Sequence, residues 1–273
     1  MADITKYAFL KAIWPLRAYL TDIVIGGGWA PLIYYHYLLG DKTKNPVRTF
    51  DIDLMVKTNV AVKGDKNIDE LLTGAGLTAK FKSMDTPPIV HYEGNIEGCD
   101  IVIEFLTDQE GSKPDVVIEV QKGLHAEALR YISIATDNTM AINIDDFTDK
   151  EMEQAFKVKV PTPQAYIFHK GLVFEKRKEE PKKAKDLYYI FEVLTNCNTI
   201  EEKIIAGLAE LKGNYSAWFN RFRKNLSFNF ADSSSDGVLM VTGQRPAHML
   251  PEINEDQFKQ YVFGTYKKLI ESI

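Results

Sequence analysis

The sequence predicts an α/β fold, with one N-terminal helix, an α/β region to about residue 147 and a helical C-terminal half. Two observations carry this prediction. Short runs rich in β-branched residues, at 22–25, 48–57 and 99–107, alternate in the first half with stretches of helical character. In the second half, apolar residues recur at helical spacing, as in 200–211.

A polar segment at residues 146–159 separates the two halves and marks the expected domain boundary. We predict an α/β domain over residues 1–147 and a helical domain over residues 148–273. Within the first, a helix is expected around Ile68–Leu77, followed by a β-prone run at Thr78–Lys82.

The composition is that of an ordinary globular protein, with 273 residues, 45% of them hydrophobic and 26% charged. A net charge of −5 argues against a protein that coats nucleic acid broadly, although basic residues cluster between Lys170 and Lys185. Residues 8–20 are apolar but short and are interrupted by Lys11 and Arg17, so no signal peptide or membrane partner is predicted. Two cysteines fit a reducing, cytoplasmic location.

The pair Asp51 and Asp53 is the most informative feature of the chain, because it lies within a strand-like run. Side chains alternate along a strand, so both carboxylates would leave one face, with their Cα atoms about 6–7 Å apart. Carboxylates at this spacing can hold one or two hard cations, as phosphoryl transfer requires. The alternative is a strand with a solvated acidic face.

Upstream, a β-prone run ends in three consecutive glycines, residues 26–28, and a helical stretch follows from Trp29 to Gly40. A strand, a glycine turn and a helix start can bind phosphate, because glycine lets backbone N–H groups approach the anion. We select Gly26 and Gly27 as candidate substrate-binding residues. The alternative is a simple tight turn.

A third carboxylate lies in the β-rich run 99–107, where Asp100 and Glu104 share one face. Glu104 stands among apolar residues, where an unpartnered charge would be costly, whereas Asp100 is easier to solvate. We prefer Glu104 as a third metal ligand or general base and keep Asp100 as the alternative.

Three segments together resemble the nucleotidyltransferase superfamily with the DNA polymerase β-like catalytic fold. They are Gly-Gly-x-Trp-Ala, Thr-x-Asp-Ile-Asp-Leu and Ile-Glu-Phe-Leu-Thr, beginning at Gly26, Thr49 and Ile103. Further segments, from Leu124 to Ile132, Val160 to Lys170 and Lys182 to Leu187, resemble a bacterial group related to the abortive-infection type IV toxin nucleotidyltransferases. The resemblance covers roughly residues 20–195.

The resemblance implies a mixed β-sheet flanked by helices, with a helical half that completes the cleft. It also implies two Mg²⁺ (or Mn²⁺) ions bridging Asp51, Asp53 and Glu104 to a nucleoside triphosphate. An acceptor oxygen would attack the α-phosphate. Relatives often carry Arg-x-Thr-x-Asp, whereas here Val47 takes the arginine position and Arg48 lies one residue later, so Arg48 is a further substrate-binding candidate.

The helical half contains basic residues that are candidates for binding the triphosphate. A helix is expected from Pro161 to about Lys178, and a second helix after Pro181. In the resembling proteins, a corresponding lysine and a Lys-Asp pair face the catalytic cleft, which selects Lys170 and Lys185 for the triphosphate. Asp186 would orient one of them through an ion pair. The alternative is a solvated helix face.

Three functions are compatible with these features. The first is a metal-dependent nucleotidyltransferase acting on a macromolecular acceptor such as tRNA or protein, with a toxin-like role and a cognate antitoxin as partner. The second is the same chemistry on a small acceptor such as an antibiotic. The third is a degenerate nucleotide-binding module, against which the three acids and the glycine turn argue.

Overall fold

The computed structural model describes residues 4–46, 50–81, 90–109, 116–145 and 155–273. The chain divides into two units. Unit 1 combines Met1–Gly40 with Arg48–Pro161, and unit 2 combines Asp41–Val47 with Thr162–Ile273. Unit 1 carries the β-sheet and unit 2 is helical, so the expected order of an α/β half and a helical half is confirmed.

Unit 1 is built on one mixed sheet. Its strands are β1 (Val24–Ile25), β2 (Asp51–Met55), β3 (Thr78–Phe81), β4 (Val90–Ile96), β5 (Cys99–Asp108), β6 (Val116–Gln121), β7 (Leu124–Leu129), β8 (Thr139–Ile144) and β9 (Phe156–Pro161). The strand order is β3-β4-β5-β2-β1-β9-β8, and β7 joins β5 and carries β6. The pairs β2–β5, β5–β7 and β1–β9 are parallel, and the remaining pairs are antiparallel.

One face of the central strands forms the main core of unit 1. Ile52 and Leu54 on β2, and Ile103 and Phe105 on β5, are buried because they alternate with the polar residues of the same strands. The helix α1 (Ile4–Ile13) packs on β5 from this side. Because side chains alternate along β2 and β5, these apolar residues point to one face of the sheet and the acids between them point to the other.

A small apolar cluster closes one end of the opposite face. Buried Val24 and Met55 pack there with Ile132 and Ala135, and Leu106 and Leu129 pack against them. Ile132 and Ala135 belong to the short helix α4 (Ile132–Asp137), which covers the end where β2 and β5 finish. Unit 1 also contains α2 (Trp29–Ile33), which continues as a π-helix over Tyr34–Leu38, and α3 (Ile68–Gly74).

Unit 2 consists of packed helices. They are α5 (Pro163–Val173), α6 (Glu180–Asn196), α7 (Glu201–Asn214), α8 (Ser216–Asn229), α9 (Asp236–Gly243) and α10 (Glu255–Ser272). The Thr162 side chain accepts a hydrogen bond from the Ala165 amide and so caps α5, with Pro163 in the first turn. The two helices expected around Pro161–Lys178 and after Pro181 are confirmed. In the described residues, no helix is both long and apolar enough to cross a membrane.

The division between the units falls after Pro161, later than the boundary expected at residue 147. The reason is β9, which pairs with β1 and β8 and thereby ties Phe156–Pro161 to the sheet of unit 1. Residues 146–154, in the polar segment, lie outside the described residues.

Candidate functional site

Asp51 and Asp53 lie on the same face of β2, opposite the buried side chains of Ile52 and Leu54. Asp51 is exposed and Asp53 is half-buried. Both acids therefore project away from the main core, on the face whose far end is closed by the α4 cluster. This is the arrangement that the alternation predicts.

Glu104 lies on the neighbouring strand, directly beside Asp53. In the parallel register of β2 and β5, Asp53 pairs with Glu104 and Asp51 pairs with Val102. Adjacent strands are about 4.8 Å apart, and paired residues share a face. Three carboxylates thus stand on one face, two of them side by side.

Asp100 occupies a different position on β5. It pairs with Asn95 across the β4–β5 hairpin, and its Oδ1 accepts a hydrogen bond from Asn95 Nδ2 at 2.8 Å. It lies two residues before Val102 on β5, and Val102 is the register partner of Asp51. Asp100 is therefore an exposed hairpin residue, and Glu104 is the acid closer to Asp53.

The glycine turn presses against Asp53. The Gly26 amide donates a hydrogen bond to the Asp53 carbonyl at 2.8 Å, which extends the β1–β2 ladder by one residue. Gly27 has a φ of +56°, and a β-carbon there would overlap Asp53 Oδ2 and lie 3.0 Å from its Cγ. At Gly26, a β-carbon would lie 2.6 Å from Met55 Cε. Gly27 is required by its positive φ and its close approach to Asp53, whereas the contact at Gly26 is with the flexible end of the Met55 side chain.

Two further polar residues lie on this face that were not predicted from the sequence as candidates. His91 on β4 pairs with Glu104, and its Nε2 lies 2.6 Å from Glu93 Oε1. Glu127 on β7 pairs with Leu106 and shares its face. The sequence contains the pattern that would identify Glu127, because this residue alternates with Ala126 and Ala128, which are buried.

A shallow concavity of about 470 Å³ lies over the neighbouring strands of the same sheet. Its lining includes Val102, the register partner of Asp51, together with Lys80, Asn95 and Asp100. The concavity therefore lies beside the acids, and Val102 is the lining residue paired with one of them.

The donor chemistry of Asp51, Asp53 and Glu104 suits a hard divalent cation, which prefers carboxylate oxygens. The strands place the three residues together, although among the described residues no three His, Cys, Asp or Glu side chains are arranged to hold a metal ion. Exposed and half-buried carboxylates can change rotamer, so backbone placement is the constraint that matters for ligation. By donor type and backbone position, these residues fit the cation.

Arg48, the remaining candidate near the acids, lies outside the described residues.

In unit 2, Lys170 is buried within an ion-pair cluster. Its Nζ lies 2.5 Å from Asp186 Oδ1, and Arg177 Nε lies 2.8 Å from Asp186 Oδ2. The rings of Tyr166 and Tyr189 flank the ammonium group at 5.7 and 5.4 Å from their centroids. The expectation that Asp186 pairs with a lysine of this region is confirmed.

The charge state of this cluster follows from its partners. Burial raises the pKa of Asp186, but the charges of Lys170 and Arg177 outweigh it and hold that pKa below its usual value. The neighbouring His169 is also buried, and desolvation, followed by the charge of Lys170, lowers its pKa to about 3. Asp186 is thus ionised and His169 neutral at pH 7.

Lys185 is half-buried on α6, and its Nζ lies 5.7 Å from the Tyr189 ring centroid. Lys170 and Lys185 therefore both approach Tyr189. Within unit 2 the three candidates from the sequence, Lys170, Lys185 and Asp186, form one local group.

A family model described as nucleotidyltransferase matches residues 6–203. The matched segment includes the glycine turn, all three acids and the Lys170–Asp186 cluster. A search of curated proteins finds no match.

Proposed function

Because the chain belongs to this nucleotidyltransferase family, we propose that it transfers a nucleoside monophosphate from a nucleoside triphosphate to an acceptor hydroxyl in a Mg²⁺-dependent reaction. The observation that carries the proposal is the pairing of Asp53 with Glu104, with Asp51 on the same face and Gly27 against Asp53. A surface without this role has no need to place like charges in direct register, which is unfavourable.

Asp51, Asp53 and Glu104 would hold Mg²⁺, and Mn²⁺ would serve as a substitute. When bound, the cation neutralises charge on the triphosphate and polarises the α-phosphate. The neutralisation also offsets the repulsion between the three carboxylates.

The reaction is an in-line displacement at the α-phosphorus. The acceptor oxygen forms the new bond to phosphorus, the bond to the β-phosphate bridging oxygen breaks, and pyrophosphate leaves. The proton of the acceptor hydroxyl passes to a carboxylate, for which Glu104 is our candidate. A Glu104 that only ligates the cation is the alternative, in which case water takes the proton.

The glycine turn would admit the phosphates. Gly26 and Gly27 present backbone without a side chain next to Asp53, so an anion and its cation can approach the acid together. Lys170 and Lys185 remain the proposed cations for the triphosphate, with Asp186 fixing the position of Lys170.

The test is transfer of label from α-³²P nucleoside triphosphates, each supplied with Mg²⁺ and either total RNA or a cell lysate. We expect one class of molecule to take the label with wild-type protein and none with Asp53→Asn, which removes a charge while keeping the shape. Chelation of the metal should give the same loss. Undiminished transfer by folded Asp53→Asn, or no labelled product with any nucleotide, acceptor pool or small hydroxyl compound, would refute the proposal.

A further inference from the structure

The outward face of α8 is basic and carries an exposed aromatic ring. Residues 211–231 contain Lys212, Arg221, Arg223 and Lys224 and no Asp or Glu. Arg221, Arg223 and Lys224 are exposed, and Phe228 is 79% exposed at the end of the same helix. Such a combination is unusual for a surface that meets only water.

The opposite face of α8 explains why these residues point outward. Phe219 and Phe222 are fully buried and lie 5.3 Å, ring to ring, from Phe168 on α5. Asn225 donates to the Gly171 carbonyl at 3.1 Å. The aromatic residues of this segment are therefore divided, with Phe219 and Phe222 in the core and Phe228 left outside.

The exposed residues form a stripe at helical spacing. Arg221, Lys224 and Phe228 follow each other at i, i+3 and i+7, so they lie along one side of α8 over about 10 Å. Arg223 is also exposed but lies about 100° around the helix from Lys224, outside the stripe. Glu175, an acid that hydrogen-bonds to α8, does so at Asn229 on the buried side.

We infer that this stripe, Arg221, Lys224 and Phe228, binds a single strand of nucleic acid, and that the acceptor of the proposed reaction is RNA. The inference rests on the proposed function and deepens it by naming the acceptor class. The cations would neutralise backbone phosphates, and the exposed ring would stack on a base, the combination by which single strands are held without sequence readout. Charge favours this occupant, because the stripe offers a polyanion two cations and residues 211–231 themselves contain no Asp or Glu.

The direct test is binding of the full chain to a labelled RNA of about 15 nucleotides, measured by fluorescence anisotropy without nucleotide or metal. Phe228→Ala should weaken binding at least about fivefold, the minimum expected for loss of one stacked base. Arg221→Gln/Lys224→Gln should make the slope of log affinity against log salt shallower by about 1.4, because each phosphate contact contributes about 0.7.

Matched controls lie elsewhere on the surface. Phe81 on β3 is 71% exposed and serves as the aromatic control, and Lys267→Gln/Lys268→Gln on α10 removes two exposed lysines. Both controls should bind RNA as the wild type does. Equal weakening by control and stripe variants would show general electrostatic attraction and overturn the inference.

Two further outcomes would also overturn it. One is no detectable RNA binding by the wild type at about 50 mM salt, a condition under which phosphate contacts are strong. The other is stripe-dependent binding to phosphatidylglycerol vesicles in place of RNA. Asp53→Asn should bind RNA normally while losing label transfer. A wild type that binds RNA through the stripe but transfers no label would count against the proposed chemistry alone.

Discussion

Gly27 lies so close to Asp53 that no other residue fits at its position without displacing the acid. A β-carbon at Gly27 would overlap Asp53 Oδ2. Gly27 and Asp53 are therefore sterically coupled, and the turn limits the side-chain rotamers that Asp53 can adopt.

We expect Gly27→Ala to lower activity strongly, because the acid must move or the turn must open. The positive φ adds a backbone cost of roughly 1–2 kcal/mol. Gly64→Ala is the matched control, since Gly64 has a φ of +70° but nothing lies within 4 Å of a β-carbon there. Thermal unfolding should show a similar backbone cost in both, and only Gly27→Ala should lose transfer. Equal activity in the two variants would contradict this account.

Glu104→Gln and Asp100→Asn separate the two candidates for the third acid. Since Glu104 pairs with Asp53 and Asp100 pairs with Asn95, we expect Glu104→Gln to reduce turnover by at least about 100-fold. Nucleotide binding should change little. Asp100→Asn should stay near the wild-type rate in the same steady-state assay. If Asp100→Asn reduced turnover and Glu104→Gln did not, the third acid would be Asp100, which lies on the same strand.

Lys170→Ala should destabilise unit 2 strongly. It removes a buried partner of Asp186 and leaves that carboxylate with Arg177, so we expect a loss of about 3 kcal/mol or more in the free energy of unfolding. Lys185→Ala is the control and should cost less than about 1 kcal/mol, because Lys185 is half-buried and forms no ion pair in the described part of the chain. Urea denaturation measures both.

A double variant distinguishes the structural role of Lys170 from a role in nucleotide binding. Lys170→Met/Asp186→Leu replaces the buried pair by apolar groups and should recover most of the lost stability. If it also recovers nucleotide affinity in a fluorescence titration, Lys170 is only structural. Restored stability with weak nucleotide binding supports the proposed contact with triphosphate.

His169 predicts a pH dependence of stability. Its folded-state pKa of about 3 lies below the ordinary value of 6.5, so the unfolded state binds the proton first as pH falls. The stabilising contribution is complete above pH 6.5 and is lost progressively between 6.5 and 3. From pH 7 to 5, the wild type should lose up to about 2 kcal/mol more than His169→Gln in urea unfolding. Parallel losses in the two proteins would contradict this prediction.

Part of the site could be predicted from sequence because it depends on local alternation. Asp51, Asp53 and Glu104 each stand between apolar residues in strand-like runs, and this pattern fixes their face. The pairing of Asp53 with Glu104 could not be predicted, because the register between two distant strands depends on tertiary packing. The contribution of β9 to the sheet was missed for a similar reason, since most of the strand falls within the polar segment and it depends on pairing with β1 and β8.

In the helical half, the secondary structure could be predicted from the sequence, but the environment of one candidate residue could not. The helices around Lys170 and Asp186 were predictable from their spacing and proline positions, but the burial of Lys170, which is 6% exposed, was not. Runs of Lys, Arg and Glu usually lie on solvated faces. Here two tyrosine rings and a second cation make burial of the pair tolerable, and that environment arises only when α5 and α6 pack together.

The apolar cluster beneath α4 limits how this protein can be redesigned. Two residues beyond Asp53 and Glu104, on the same face, the strands carry Met55 and Leu106, which pack in that cluster. A new carboxylate at either position would be drawn into hydrocarbon. An additional cation ligand is therefore better placed on the neighbouring strands, where His91 and Glu127 already lie on the same face as Glu104.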